Sequence, residues 1–119
     1  MRSETFHTPG VPSLAIRVPA GSVEIETRDG EETRVDLEGQ NDAGRAAVEG
    51  ATIAQDGDGV RVEVGEDRAV FAALRAPKVR LRVTCPHGTR LTADVVAADV
   101  KARGRFGAAA VKTLSLIHI

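Results

Sequence analysis

The chain has no tryptophan and no tyrosine, and its only aromatic rings apart from histidine are Phe6, Phe71 and Phe106. A bulky aromatic core is therefore excluded, and the interior has to be built from valine, leucine, isoleucine and alanine. Thin layers of small aliphatic side chains suit stacked β-structure. Cysteine is as scarce: Cys85 stands alone, so no intrachain disulfide can form and nothing points to an oxidising compartment. No apolar run approaches the ~20 residues of a membrane span, and the N-terminal residues hold no unbroken apolar stretch of signal-peptide length. We therefore expect a cytoplasmic protein with no membrane insertion in the visible part. Neither sign of charge dominates. The 16 basic and 17 acidic residues are interspersed rather than blocked, which leaves no electrostatic footprint for nucleic acid. The 119 residues suit one domain with a single modest core.

What the chain does have is period-two alternation from end to end. Leu14, Ile16 and Val18 alternate with Ala15 and Arg17, and Val23 and Ile25 alternate with Glu24 and Glu26, giving an aliphatic and a charged face. Between these runs lies Pro19-Ala20-Gly21-Ser22. Proline there presets φ and glycine accepts a positive φ, so the segment predicts a turn. Arg34-Val35-Asp36-Leu37-Glu38 follows the Asp29-Gly30 turn signal and completes an expected antiparallel meander. Asp42 is placed to cap a short helix from Ala43 to Glu49, which Gly44 and Gly50 keep short. Strands resume between Ala51 and Ala54, turn through Gln55-Asp56-Gly57-Asp58-Gly59, and continue with Val60, Val62 and Val64 on one face. Residues 65–77, with Phe71 and Leu74, are expected to loop back over an open strand edge.

The pattern then repeats. Val79, Leu81 and Val83 alternate with Lys78, Arg80 and Arg82 and lead into Cys85-Pro86-His87-Gly88-Thr89, which aligns with Val18-Pro19-Ala20-Gly21-Ser22. After Leu91 come short segments rich in Ala and Val, separated by Asp and Gly, as in the rungs of a parallel β-solenoid. The expected fold is therefore all-β, an antiparallel strand meander leading into a parallel β-solenoid, with one short helix. The last six residues, Leu114-Ser115-Leu116-Ile117-His118-Ile119, back-translate as CTG TCT CTT ATA CAC ATC. That resembles the adapter which transposase-based library kits join to sequenced DNA, and foreign segments are set aside before fold reasoning. Residues 1–113 are then expected to form a single β-rich domain, incomplete at its C-terminal side. Residues 114–119 would be a translated adapter whose apolar side chains extend the alternation as one more strand.

Several segments together resemble the bacterial putative adhesin domain family, a domain of unknown function common in actinobacteria. They are Phe6-His7-Thr8-Pro9-Gly10, Val18-Pro19-Ala20-Gly21-Ser22-Val23, the Ala-rich helix, Arg80-Leu81-Arg82-Val83, Cys85-Pro86-His87-Gly88-Thr89, and Asp99-Val100 leading to Gly104-Arg105-Phe106-Gly107. The resemblance covers the chain to Thr113. It implies a β-solenoid of short strands, a non-catalytic role, and further Ser-Gly-Asp rungs beyond Val111-Lys112-Thr113. The family supplies no catalytic residues to carry over.

Read by residue type, Cys85 and His87 are the best candidates for an activated nucleophile, but Pro86 separates them and no third orienting group is evident. Cys85 is better explained as a small core residue continuing the face of Val79, Leu81 and Val83. A metal site would have to gather His7, His87 and Cys85 from distant positions, with His118 in the suspect tail, so no metal or other cofactor is expected. Asp94 and Asp99 with Asp56 and Asp58 raise the idea of paired carboxylates in a polysaccharide-cleaving β-helix. Turn formers and solvated rung corners explain them more simply, and Asp56-Gly57-Asp58-Gly59 lacks the later acidic ligand of a calcium loop. Gly104-Arg105-Phe106-Gly107 has the wrong glycine spacing for a dinucleotide site and reads as a rung-to-rung turn. Arg75, Lys78, Arg80, Arg82 and Arg90 share a region without the aromatics that stack bases, which suits a solvated sheet face. The expectation is a non-enzymatic adhesin-like module for binding or self-assembly, associating through strand edges or a solenoid end. The N-terminal part of a carbohydrate-active β-helix and a cytoplasmic polymerising scaffold are the alternatives.

Overall fold

The computed structural model describes residues 2–64, 78–112 and 117–118. In chain order its elements are β1 (Arg2–His7), β2 (Ser13–Arg28), β3 (Glu32–Gly39), α1 (Asp42–Gly50), β4 (Thr52–Asp56), β5 (Gly59–Glu63), β6 (Val79–Pro86), β7 (Thr89–Arg103), β8 (Phe106–Lys112) and β9 (Ile117–His118). The described chain is mostly β with one helix, as the alternation predicts, and all its strands join in one sheet. Residues 65–77, expected to cover an edge, lie outside the described residues, as do 113–116 and 119 of the C-terminal segment. Ile117 and His118 do extend the sheet, beside Val100 and Lys101 of β7.

The main departure from the sequence reading is β2. It runs unbroken through Pro19-Ala20-Gly21-Ser22, so the expected turn is absent and β2 does not pair with β3. Its first half pairs in parallel with β5 and its second half in parallel with β6, while β7 runs parallel to both halves. The reason lies in a change of parity. Leu14, Ile16 and Val18 are buried at even positions, whereas Val23, Ile25 and Thr27 are buried at odd ones. A strand that bends between two faces of a core shifts its inward phase by one residue and stays in the ladder; a hairpin would have paired the halves with each other. Gly21 makes the bend possible. Its φ is +118°, and a Cβ there would overlap the Val79 carbonyl oxygen of β6. The two Pro-x-Gly-Ser/Thr segments are consequently not equivalent: the first lies inside β2, and the second includes the turn between β6 and β7.

β7 repeats the device. Leu91, Ala93 and Val95 are buried at odd positions and Ala98, Val100 and Ala102 at even ones. In register, Leu14 sits beside Leu91, Val18 beside Val95 and Val23 beside Val100. Because β7 follows one edge of β2 throughout, β5 and β6 must occupy the other edge. Beyond β5 lies β4, beyond β6 lie β3 and then β1, all antiparallel additions, whereas β8 and β9 add in parallel outside β7. The molecule thus has a direction along its stacked strands. We call the end carrying β1, β3, α1 and β4 the head, and the end carrying β8 and β9 the tail.

Inward side chains from both halves belong to one aliphatic cluster, with Phe6 and Phe106 packed half-buried at its margin. The helix closes the head. Its N-cap is Asn41 rather than Asp42: the Asn41 carboxamide oxygen accepts from Gly44 N–H at 2.6 Å and from Lys78 N–H at 3.2 Å, tying α1 to β6. Asp42 instead pairs with Arg45 on the exposed first turn. Gly44 lies against the Lys78 carbonyl with no room for a Cβ, so the glycine that weakens the helix also lets it pack. The last turn of α1 has no basic residue of its own. Arg2 from β1 supplies one, donating to the carbonyls of Val48 at 3.1 Å and Ala51 at 2.5 Å.

Candidate functional site

None of the chemical candidates is assembled as a reactive pair. Cys85 points into the core, where its thiol lies 3.7 Å from the Glu26 carbonyl oxygen, and burial pushes its pKa up. His87 stands beyond the end of β6 on the exposed turn, so the strand stops before shared parity could bring the two together. Its Nδ1 is 2.8 Å from Thr27 Oγ1 and its Nε2 is 3.6 Å from Asp29 Oδ1. A hydroxyl, an imidazole and a carboxylate in that order suggest a triad, one the sequence reading missed because sixty positions separate Thr27 from His87. The hydroxyl is committed elsewhere, however: Thr27 is 5% exposed and accepts from Arg105 N–H at 2.7 Å. The cluster clamps the end of β2 to the β6–β7 turn and the β7–β8 turn.

The carboxylates are likewise dispersed. Asp94 faces outward on the first half of β7 and pairs with Arg17 at 3.9 Å, whereas Asp99 lies beyond the bend on the second half. Asp58 accepts from Gly10 N–H at 3.2 Å, and Asp56 closes the hairpin opposite Gly59, so both serve the turn between β4 and β5. Among the described residues no group of three His, Cys, Asp or Glu could hold a metal ion, and His7 is not gathered with His87 and Cys85. Gly104-Arg105-Phe106-Gly107 forms the expected turn between β7 and β8, with Phe106 against the core.

What the fold does assemble is a pair of outward faces ruled by charge. Across the second half of the sheet, one row reads Asp36, Arg82, Glu24, Lys101 and the next Arg34, Thr84, Glu26, Arg103. Across the first half, a row reads Glu63, Arg17, Asp94, Lys112. The basic positions therefore do not make a stripe. Arg82 pairs with Glu24 at 3.3 Å, Arg80 lies in register with Glu38, Lys78 precedes β6, Arg90 belongs to the other half, and Arg75 is outside the described residues. Exposed pairs of this kind contribute about 0–1 kcal/mol each. Their effect is on which strands can lie side by side. A shallow groove of about 270 Å³ follows this face past Glu24, Arg82, Lys101 and Arg103.

Comparison with known proteins adds a fold and no sequence family. No family model matches the chain, and no curated protein matches it. A solved structure of a putative cell adhesion protein from Clostridium sporogenes superposes with a TM-score of 0.53 at 9% identity, over 94% of this chain and 57% of that protein. The likeness is one of fold. The chain thus spans little more than half of the length of its structural neighbour.

Two features escaped the sequence reading and both were present in it. Leu14-Ala15-Ile16-Arg17-Val18 and Leu91-Thr92-Ala93-Asp94-Val95 are the true structural repeat, and Val23-Glu24-Ile25 repeats as Val100-Lys101-Ala102. The inversion of parity after Val18 and after Val95 marks the bend in each. No helix among the described residues is long and apolar enough to cross a membrane.

Proposed function

We propose that the chain is a non-catalytic, adhesin-like β-module of the parallel β-solenoid type, acting by presenting flat charged faces and open strand edges for binding or self-assembly. The observation that carries this reading is the in-register parallel stack of β5 and β6, β2, β7, and β8 with β9, in which two successive long strands bend at the same level. Stacking of bent strands is how a solenoid propagates, each rung burying the apolar face of the one before. The fold likeness to a cell adhesion protein is consistent with the same reading, as is the resemblance of the sequence motifs to the adhesin domains. The charged residues line open faces and open grooves of the sheet, and many pair with one another, an arrangement that favours recognition over turnover. A reduced, buried Cys85 suits a cytoplasmic setting.

The test is to couple the purified chain to beads, score bead clustering and adherence to bacterial cells, and assay the same preparation against chromogenic glycosides and polysaccharides. Clustering or adherence without turnover is the expected result. Turnover that tracks the purified chain, with no adherence, would replace this reading with the carbohydrate-active one.

A further inference from the structure

An aspartate followed by glycine is a chemically fragile pair, and the chain holds Asp29-Gly30, Asp56-Gly57 and Asp58-Gly59. The glycine amide nitrogen can attack the side-chain carbonyl carbon of the aspartate, because no Cβ on the glycine obstructs the approach and its backbone is free to turn. A new N–C bond closes a five-membered succinimide, and the carboxyl hydroxyl leaves with the amide proton as water. Water then adds back to the ring. Opening at the side-chain carbon restores aspartate. Opening at the main-chain carbon breaks the original peptide bond and leaves iso-aspartate, in which the backbone runs through the former side chain. The dipeptide is the same at all these places, so the fold decides which of them reacts.

Two of the pairs are held. Asp58 is committed at both ends: its carboxylate accepts from Gly10 N–H at 3.2 Å and its carbonyl from Ser13 N–H at 3.1 Å, while Gly59 is already a strand residue in register with Ser13. Asp56 ends β4 opposite Gly59, and the Gln55 carboxamide donates to the Gly57 carbonyl at 3.0 Å, which fastens the turn around the Asp56–Gly57 bond. Asp29-Gly30 differs. Its flanking residues are pinned, Arg28 through its carbonyl to His87 N–H at 3.1 Å and Glu31 through its carbonyl to Thr8 N–H at 2.6 Å. The pair between them is free. The Asp29 side chain is fully exposed, with a single ion-pair contact among the described residues, His87 Nε2 at 3.6 Å. The Gly30 N–H makes no hydrogen bond among the described residues. Gly30 has a φ of +140°, and beyond its chain neighbours no atom lies within 4 Å of where a Cβ would stand. Carboxyl and amide can therefore meet without breaking a native hydrogen bond.

We propose that Asp29 is a site of spontaneous iso-aspartate formation, selected over Asp56 and Asp58 by the fold. Asp29 and Gly30 line an open groove of about 800 Å³ together with His7, Arg34 and Arg82. Isomerisation inserts a methylene into the backbone between β2 and β3 and re-aims the carboxylate, with no change in mass. β2 ends at Arg28 and β3 begins at Glu32, so the strand ladders are left intact and the change falls on the charge pattern of the groove. This goes beyond the function proposed above and does not depend on it.

The experiment is to incubate the folded chain at neutral pH and physiological temperature, digest timed samples, and resolve aspartyl from iso-aspartyl peptides by chromatography with electron-transfer fragmentation. A parallel sample is kept in concentrated urea. In the folded chain iso-aspartate at Asp29 should accumulate about tenfold faster than at Asp56 or Asp58, which must first give up hydrogen bonds by local opening. In urea all the pairs are released and their rates should converge. An Asp29→Glu variant, whose longer side chain closes a ring far less readily, should lose the product at this position and keep the slow formation at the other two. Equal rates at the three pairs in the folded chain would overturn the proposal. So would a ranking that persists unchanged in urea, which would assign it to neighbouring residues, or product at Asp29 in urea but none in the folded chain.

Discussion

β2 and β7 are the same bent strand written twice, with one difference toward the core and one toward solvent. Facing the core, Leu14, Val18 and Val23 recur as Leu91, Val95 and Val100, while Ile16 and Ile25 are answered by Ala93 and Ala102. Facing solvent, the charges invert: Arg17 lies beside Asp94, Glu24 beside Lys101 and Glu26 beside Arg103. Repetition inward and inversion outward do different jobs. The aliphatic face makes the strands stack, since each buried side chain contributes about 1.5–3 kcal/mol, whereas the outward pairs contribute a fraction of that. The alternation of the two faces sets the register, because a slip of one residue would turn every charge of one strand toward the core.

The comparison can be broken most severely at the bend. Gly21→Ala combines a positive φ with overlap against the β6 backbone, and we expect a loss of about 4 kcal/mol in denaturant unfolding, a cost that a bend tolerant of any residue would not show. Next is the inward asymmetry. Ile25→Ala should cost about 3 kcal/mol, and adding Ala102→Ile should recover about half by restoring volume across the pair, whereas strict additivity of the two changes would mean that they do not touch. The outward inversion is subtler: Glu24→Lys should cost about 1 kcal/mol beside Lys101 and Arg82, and Lys101→Glu in the same molecule should restore most of it.

Cys85 gives the smallest effect and a pH signature. Burial raises its pKa, so the stability it contributes is fully present below its unfolded pKa of about 8.5 and is lost as pH climbs toward the raised folded value. A Cys85→Val variant should therefore hold its stability from pH 8 to 10 while the unmodified protein declines, and parallel decline in both would assign the loss to other groups.

How much of this was legible beforehand depended on whether the signal was local. Alternation at 14–18, 23–25 and 79–83 located the core faces, the glycine-rich segment at 55–59 located a hairpin, and the Ala-rich stretch located the helix. Partner choice was not local. Pro19 and Gly21 carry the chemistry of a reversal, and only the parallel neighbours β6 and β7 hold that segment extended. Asn41 displaced Asp42 as the cap for a similar reason, since its amide oxygen also reaches Lys78 N–H on a strand far along the chain. The clamp of Thr27, His87 and Arg105 joins three separate corners and has no signature at any one of them.

The central claim is the parallel register of β2 with β7, and nuclear Overhauser contacts in solution read it directly. The account predicts backbone contacts between Ala15 and Thr92 and, past the bend, between Glu24 and Lys101. Contacts between Arg17 and Glu24, closing a hairpin over Pro19-Ala20-Gly21-Ser22, would contradict it.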